Sequence, residues 1–417
     1  MNAKSVTRAL ALGGVVLSYG LSFGCGGGGK GAGGTTSNTT GTMSTGTMST
    51  TGTGAQGGSI LFDISGEVLA LGGYAFPPVN AGDAAFVDGW EVHFTEFIVT
   101  VDKIKISQNP DMNSGDESQT GPLVAEVDGP WAVDLHKGGP LPGKGGAGEQ
   151  AVQLTTLDNQ NKNGGAPFAA DTRYAFGFDI VPASANAMNV NLDAQGMADY
   201  MMMQQKGYNV LYVGTATWKG DTGQSICTTG KPADAEFKNF PTTVNFKLGF
   251  KSPTTYVNCQ NPDNDPAKPL GTEEHQRGIV VKSNQQAIAQ LTVHSDHPFW
   301  ESFTHDSPAH FDMIAARYTG SMGTPNAVLE DVVGVDPTAI TDKQGNAVPW
   351  RGCVSGYTPP TMGQMSFDPL TIPVVPNGDP TKDIRDLYDY MTYNQSTQGH
   401  LNSDGLCFVQ RHYPSPQ

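Results

Sequence analysis

The feature that most constrains this chain is the alternation of apolar and polar residues in short segments. Side chains alternate between the two faces of a β-strand, so this period of two predicts half-buried strands. It recurs in SILFDIS (59–65), RYAFGFDI (173–180), VNFKLGF (244–250) and AIAQLTV (287–293). In the longer segment 90–107 the alternation changes phase, which predicts a β-bulge or a turn rather than a single long strand.

Turns rich in Gly, Pro, Asn and Asp separate these segments, and helical patterns are few. The chain is therefore expected to be mainly β, with an antiparallel β-sandwich-like core, a few short helices and long irregular loops. One helix is predicted to start at Asp193 and to stop at Gly207. Two more are expected to begin with the caps Ser307 and Asp379, each followed by Pro.

The N-terminus has the properties of a secretory signal. Lys4 and Arg8 precede the apolar run ALALGGVVLSYGLSF, which is short for a membrane span. The run ends in LSFGC, which resembles the lipobox of bacterial lipoproteins and implies lipidation of Cys25. Phe23 departs from that pattern, because a small residue is usual beside the cleavage site. A plain signal peptide that is cut nearby is the alternative.

The expected organisation has four parts. They are a signal peptide (1–24), a lipidated Cys with a disordered Gly/Thr/Ser tether (25–58), a β-rich domain (59–320) and an irregular C-terminal elaboration with one helix (321–417). The tether has too few apolar side chains to offset the entropy of ordering it. This organisation predicts a protein of the cell envelope, lipid-anchored to the outer membrane or cell surface, with the membrane as its first partner.

Five cysteines are an odd number for an exported protein. If Cys25 carries lipid, an even set remains for disulfides: Cys227, Cys259, Cys353 and Cys407. Four cysteines allow three pairings. Nearest neighbours close the shortest loops, which favours Cys227–Cys259 and Cys353–Cys407.

The formal net charge of −16 limits the partners of the chain. Nucleic acid and anionic lipid headgroups both require a basic surface, so neither is an expected ligand. Cations, an unidentified protein or a glycan remain open.

Residues 174–250 carry YAFGFDI, then GMADYMMMQQKGYNVLYVG, then VNFKLGF. This order resembles that of the secreted copper-binding proteins associated with methanobactin, which are β-rich. Their corresponding helix carries aromatic residues, whereas this chain has Met201, Met202 and Met203. The resemblance implies a β-rich fold and transfers no ligand residue.

The strongest candidate site is VHSDHPFWESFTHDSPAH (293–310), which holds four of the nine histidines. The proposed metal ligands are His294, His297, His305 and His310, with Asp296 beside them. They are expected at the ends of secondary-structure elements, where side chains can converge, and neutral imidazoles bind copper or zinc well. The alternative is structural: Asp296 and Ser307 act as helix caps and the intervening aromatic residues are core.

Weaker candidates are a soft-metal role for Met201–Met203 and a polar cluster around His400, Asp404 and Cys407. Met residues more often fill core gaps, and a disulfide-bonded Cys407 cannot be a nucleophile. Calcium has weak support from two acidic loops. Their oxygen-bearing residues are Asp111, Asn113, Asp116 and Glu117 in one loop, and Asp263, Asp265, Glu273 and Glu274 in the other.

Common hydrolase motifs are absent, and GGPLPGKGG (138–146) lacks the Ser or Thr and the helix of a phosphate-binding loop. Three hypotheses remain. The favoured one is a lipid-anchored extracytoplasmic binding protein with a transition metal, copper or zinc, at the His cluster. The others are a secreted metal-dependent hydrolase or oxidoreductase and a metal-free surface or interaction protein.

Overall fold

The computed structural model describes residues 57–80, 82–220, 227, 237, 240–319, 325–360, 363–367 and 374–412. The predicted signal peptide, the lipidated Cys25 and nearly all of the predicted tether lie outside these residues. Residues Thr53–Gln417 form one compact unit. Within the described part of the chain, no helix has the length and apolar character needed to cross a membrane.

The described residues contain more strand than helix. The strands are β1 (Ser59–Ser65), β2 (Trp90–Ser107), β3 (Leu123–Val127), β4 (Trp131–Asp134), β5 (Leu141–Pro142), β6 (Gln150–Leu157), β7 (Thr172–Ile180), β8 (Met188–Asn189), β9 (Val210–Trp218), β10 (Thr243–Phe250), β11 (Thr254–Val257), β12 (Ile279–Val281), β13 (Gln286–Val293), β14 (Asn326–Val328), β15 (Gly399–Leu401), β16 (Gly405–Leu406) and β17 (Phe408–Arg411). The helices are α1 (Glu67–Gly72), α2 (Ala194–Lys206), α3 (Asp312–Ala315), α4 (Leu387–Gln395) and the 3₁₀ helices His297–Phe299 and Leu329–Val332.

The strands form two sheets that are not closed. The six-stranded sheet has the order β16-β15-β13-β1-β6-β5. The eleven-stranded sheet follows β14-β10-β9-β2-β7-β11-β17, with β3, β4, β8 and β12 beside that path. Most pairs are antiparallel, but β1 is parallel to β13, β10 is parallel to β14 and β4 is parallel to β8. The predicted mainly β, sandwich-like fold is confirmed.

The core lies between the two sheets. The rings of Phe62 in β1 and Phe176 in β7 are stacked with centroids 6.1 Å apart. Ile60 and Ile64 share the buried face of β1 with Phe62, as their alternation predicts. The expectation that segment 90–107 is not a single long strand is wrong, because these residues form the one long strand β2; its phase changes are β-bulges within that strand.

Helix α2 covers part of the other face of the larger sheet, where Tyr200 and Met203 pack against Ile98. The predicted ends of this helix are confirmed. Asp193 is the N-cap and accepts a hydrogen bond from the Gly196 N–H, and Gly207 adopts the left-handed conformation.

The other two predicted helix starts are wrong. Residues before α3 are extended instead, because Trp300 and Ala309 form a β-bridge, and Ser307 bonds to the Ser302 hydroxyl. Asp379 accepts hydrogen bonds from the backbone and hydroxyl of Thr381, which makes a local turn rather than a helix. Helix α4 begins later, with Asp386 as its N-cap.

The favoured disulfide pairing is also wrong. The bonds are Cys227–Cys353 and Cys259–Cys407, with sequence separations of 126 and 148 residues. The physical reason for the second is sheet pairing, because β11 ends two residues before Cys259 and pairs with β17, which begins directly after Cys407. Two disulfides indicate an oxidising, extracytoplasmic environment.

The C-terminal segment 321–417 contributes to both sheets. It supplies β15 and β16 to the smaller sheet and β14 and β17 to the larger one. Residues far along the chain therefore lie beside β13, whose end carries the predicted metal-binding segment.

Candidate metal centre

Two histidines follow the end of β13. His294 is the first residue after this strand, and its N–H donates to the Gln398 carbonyl at 3.0 Å. His297 begins the 3₁₀ helix that follows, with Pro298 next to it in the first turn. A strand that ends directly in a tight helical turn brings these two rings together, with centroids 5.4 Å apart.

A third histidine comes from the end of the chain. His400 lies in β15, which pairs antiparallel with β13 so that His400 is opposite Thr292. This register places the His400 ring against that of His294, with centroids 4.2 Å apart. His305, from the loop after the 3₁₀ helix, approaches His400 to 5.4 Å between ring centroids.

One nitrogen from each of His294, His297, His305 and His400 lies within 4.8 Å of each of the other three. In a regular tetrahedral zinc site, metal–nitrogen bonds of about 2.0–2.1 Å place the nitrogens roughly 3.4 Å apart. Small side-chain movements would therefore close the four imidazoles on one ion. The group can hold a metal ion.

The tautomer of His297 follows from its hydrogen bonds. The Thr397 hydroxyl donates its only proton to the Asn394 carbonyl at 2.7 Å. The 2.7 Å contact between Thr397 Oγ1 and His297 Nδ1 must then have the imidazole N–H as its donor. Nε2 therefore carries the lone pair, and within the described residues this buried atom has no hydrogen-bond partner. A donor bond from the other ring nitrogen is the usual support for a metal-binding histidine.

Burial keeps two of the rings neutral. The pKa of His297 is held well below 6.5 by burial and then by the neighbouring histidines, and the same causes lower the pKa of His400. Both nitrogens of His400 are buried without a hydrogen-bond partner among the described residues. A neutral imidazole with a free lone pair is the form that binds a metal.

A carboxylate lies behind His294. Glu67 Oε1, in the first turn of α1, is 3.6 Å from His294 Nε2 and accepts a hydrogen bond from the Ser403 hydroxyl at 2.9 Å. Burial raises the pKa of Glu67, and the field of His294 opposes that rise. The same histidine also belongs to a second group of possible ligands, with Glu67 and Asp404.

A cavity of about 390 Å³ opens onto three of the four histidines. Its wall includes His297, His305 and His400, together with Trp300 and Arg411. The Trp300 ring stacks on His297 with centroids 3.7 Å apart. An ion at the cluster would therefore face a space large enough for a small molecule.

His310, one of the four proposed ligands, is not part of the cluster. It is fully buried in a separate polar network, with Nε2 2.9 Å from Glu301 Oε2 and Nδ1 3.8 Å from Asp88. Tyr357 donates to the same Glu301 carboxylate at 2.8 Å. The bridge between Trp300 and Ala309 turns the chain back, so His310 points away from the other three.

Asp296 is likewise outside the group of converging ligand atoms. It occupies the N-cap position of the 3₁₀ helix without a capping side-chain bond. Burial raises the pKa of its carboxyl group, and His294 opposes that rise.

His400 replaces His310 in the cluster. The sequence singled it out only as a polar neighbour of Cys407, whose disulfide removes any nucleophilic role.

The other candidates do not form a comparable site. Met203 is buried under α2 whereas Met201 is exposed, so the methionines do not face one point. In the acidic loops, Asp111 pairs with Arg173 and Glu273 with Arg277, and Asp265 pairs with Lys268. Among the described residues, neither loop supplies a converging group of ligands.

No protein-family model matches the chain, and neither a curated protein nor a solved structure is significantly similar to it. The resemblance of residues 174–250 to methanobactin-associated proteins therefore stays a prediction. Any function must be argued from the site itself.

Proposed function

We propose that this chain is an extracytoplasmic binding protein that holds one transition-metal ion, copper or zinc, through His294, His297, His305 and His400. The observation that carries the proposal is the convergence of four imidazole nitrogens within 4.8 Å of one another. Buried polar atoms in folded proteins nearly always have partners. An ion would supply the partner that the buried nitrogens of His297 and His400 lack among the described residues.

The donor set argues for a borderline metal ion. Imidazole suits copper, zinc and nickel, whereas calcium and magnesium take oxygen ligands. Four neutral imidazole ligands do not compensate the positive charge of the ion. Glu67, 3.6 Å from His294, supplies a nearby negative charge that favours the bound state.

The proposal includes the location. The two disulfides support an oxidising compartment. The lipobox-like LSFGC and the Gly/Thr/Ser segment that follows favour a folded domain tethered to a membrane through Cys25.

The cavity supports a second candidate, a metal-dependent hydrolase or oxidoreductase. A catalytic metal keeps a position open for water or substrate, whereas a structural or storage site is closed. If His294 remains next to Glu67 and does not bind the ion, the ion would have three protein ligands. Its fourth coordination position would then face the cavity. Adding azide to the copper(II) form distinguishes the two, because only an open position gives a new absorption band.

Metal loading tests the proposal directly. The purified full chain, stripped and reloaded with zinc or copper and then dialysed, should keep one ion per chain. The His297→Ala and His400→Ala variants should each bind at least about tenfold more weakly, since each removes one of the converging ligands. His93→Ala is the control, because this side chain is 56% exposed and lies outside the cluster.

His310→Gln gives a sharper contrast, since it changes a buried histidine of the same sequence segment. It should keep the metal affinity of the parent. A parent chain that folds but retains no metal contradicts the proposal, and so does equal retention by His400→Ala.

A further inference from the structure

An arginine at the end of β17 brings a positive charge to the cavity beside the histidine cluster. Val409 and Arg411 alternate with exposed residues in this strand, so their side chains share one face, and both line the cavity. The Arg411 Nε–H donates to Ser396 Oγ at 2.6 Å, and the guanidinium carbon lies 3.7 Å from the centroid of the Tyr393 ring. These contacts orient the guanidinium and leave the N–H groups of its two terminal nitrogens for another partner.

The Arg411 guanidinium has no carboxylate partner among the described residues. Burial lowers the pKa of Arg411, and the groups that oppose this fall are Tyr393 and Tyr256 rather than an acidic residue. A partly buried cation without a counter-charge is costly, and a bound anion would remove that cost. Several other arginines do pair with a carboxylate, namely Arg173, Arg277, Arg351 and Arg385.

Glu117 is the only acidic residue among the described residues that line the cavity. Burial raises the pKa of Glu117, and the charged groups that act on it are Glu273 and Arg277. Arg411 is not among them, so Glu117 does not compensate the charge of Arg411.

Apolar side chains form much of the remaining wall. Trp300, Phe303, Leu406 and Val409 line the cavity, and Phe303 packs on the Tyr393 ring with centroids 4.6 Å apart. Sites for small molecules typically combine such apolar walls with a few polar groups that fix the orientation of the ligand. The volume of about 390 Å³ lies within the range of such sites.

One short segment holds both the guanidinium and a metal-binding histidine. Ser396 accepts the hydrogen bond from Arg411, and the next residue, Thr397, accepts the one from His297 Nδ1 at 2.7 Å. Cα atoms of adjacent residues are only about 3.8 Å apart. The guanidinium and the histidine cluster therefore belong to neighbouring parts of the same cavity wall.

We propose that this cavity binds a small organic carboxylate with an apolar or aromatic body. The carboxylate accepts hydrogen bonds from the terminal N–H groups of Arg411, whose planar fork matches the two oxygens of a carboxylate. The body of the ligand lies against Phe303 and Val409, beside the histidines. This inference rests on the proposed function, because it names a ligand class for the metal-binding protein, but the Arg411 contact does not require a bound ion.

Titration calorimetry with naphthoate, a planar aromatic carboxylate, tests the proposal on the full chain, both stripped of metal and loaded with zinc. The parent should bind one naphthoate in both states, at least about tenfold more tightly than naphthamide, which has nearly the same shape without the charge. Arg411→Gln should weaken naphthoate binding at least about tenfold and leave the weaker naphthamide binding unchanged. Arg411→Lys should fall between the parent and Arg411→Gln, because it keeps the charge without the fork.

Lys382→Gln is the control for the loss of one positive charge, since this side chain is 76% exposed and lies outside the cavity. It should bind naphthoate as the parent does. A parent that binds naphthamide as tightly as naphthoate, or that binds neither, overturns the proposal. So does a folded Arg411→Gln or Arg411→Lys variant with the naphthoate affinity of the parent.

The two proposals for this cavity fail separately. Naphthoate binding by the stripped chain, lost in Arg411→Gln, supports the carboxylate site even if the parent retains no zinc. Zinc retention without naphthoate binding supports the metal site and contradicts the carboxylate site.

Discussion

At the scale of single residues, the candidate site depends on which nitrogen of each histidine is free. Thr397 fixes the proton of His297 on Nδ1 because its own proton is committed to Asn394. His400 has no such partner among the described residues, although it is fully buried. Both rings stay neutral because burial lowers their pKa.

These lowered pKa values predict how the stability of the metal-free protein changes with pH. Below the ordinary pKa of 6.5, the unfolded chain protonates His297 and His400 whereas the folded chain does not. The contribution of each of these two neutral histidines to the free energy of unfolding is therefore complete above pH 6.5. It is lost as the pH falls below that value. The loss is about 1.4 kcal/mol per pH unit for each histidine.

Urea unfolding of the parent and of His400→Asn, at pH values below the ordinary histidine pKa, measures how the free energy of unfolding of each protein changes with pH. Because the variant lacks one of the two groups, its free energy of unfolding should fall with a slope that is shallower by about 1.4 kcal/mol per pH unit. Identical slopes would show that His400 is protonated equally in the folded and unfolded chains.

At the scale of secondary-structure elements, the sequence was informative where the pattern is local. The alternation in 59–65 and 173–180 identified β1 and β7, and Asp193 and Gly207 marked the ends of α2. Helix caps predicted from the sequence were misleading where the capping residue had another hydrogen-bond partner nearby. Asp379, for example, accepts a hydrogen bond from Thr381 instead of capping a helix.

Pairing between distant strands was not predictable from local pattern. His400 joins the cluster only because β15 pairs with β13 across more than a hundred residues. His310 lies close to His305 in sequence, yet the β-bridge between Trp300 and Ala309 keeps it out of the histidine cluster. The disulfide pairing was not predictable for the same reason, because both bonds connect segments that are distant in sequence rather than neighbouring cysteines.

Removing one of the two disulfides should weaken metal binding, whereas removing the other should not. Cys407 lies in the wall of the cavity beside the cluster, and its bond to Cys259 anchors the one residue that joins β16 to β17. Cys227–Cys353 provides a matched control of similar loop length away from that cavity. Replacing either pair by Ser should lower the free energy of unfolding by about 2–5 kcal/mol.

Only the Cys259→Ser/Cys407→Ser variant should also weaken metal binding, by about tenfold, because it loosens the support of β15. Urea unfolding and competitive metal titration measure the two effects. Equal metal affinity in both double variants would mean that the disulfide next to the cavity does not hold the ligands in place.

At the scale of the whole molecule, the described residues form a β-sandwich-like domain with two disulfides and a histidine cluster beside β13 and β15 of the smaller sheet. The N-terminal LSFGC predicts that this domain is attached to a membrane through Cys25. Labelled fatty acid should then be incorporated into the parent and not into Cys25→Ser in a bacterial host that processes lipoproteins. Unlabelled parent protein that is still exported would indicate a plain signal peptide instead.

The proposed metal centre places one transition-metal ion among His294, His297, His305 and His400. Anomalous diffraction from crystals of the metal-loaded protein, collected at the absorption edge of the metal, tests it most directly. We expect a single strong anomalous peak within bonding distance of nitrogens from at least three of these four residues. A peak elsewhere, or fully loaded crystals with no peak among these histidines, would contradict it.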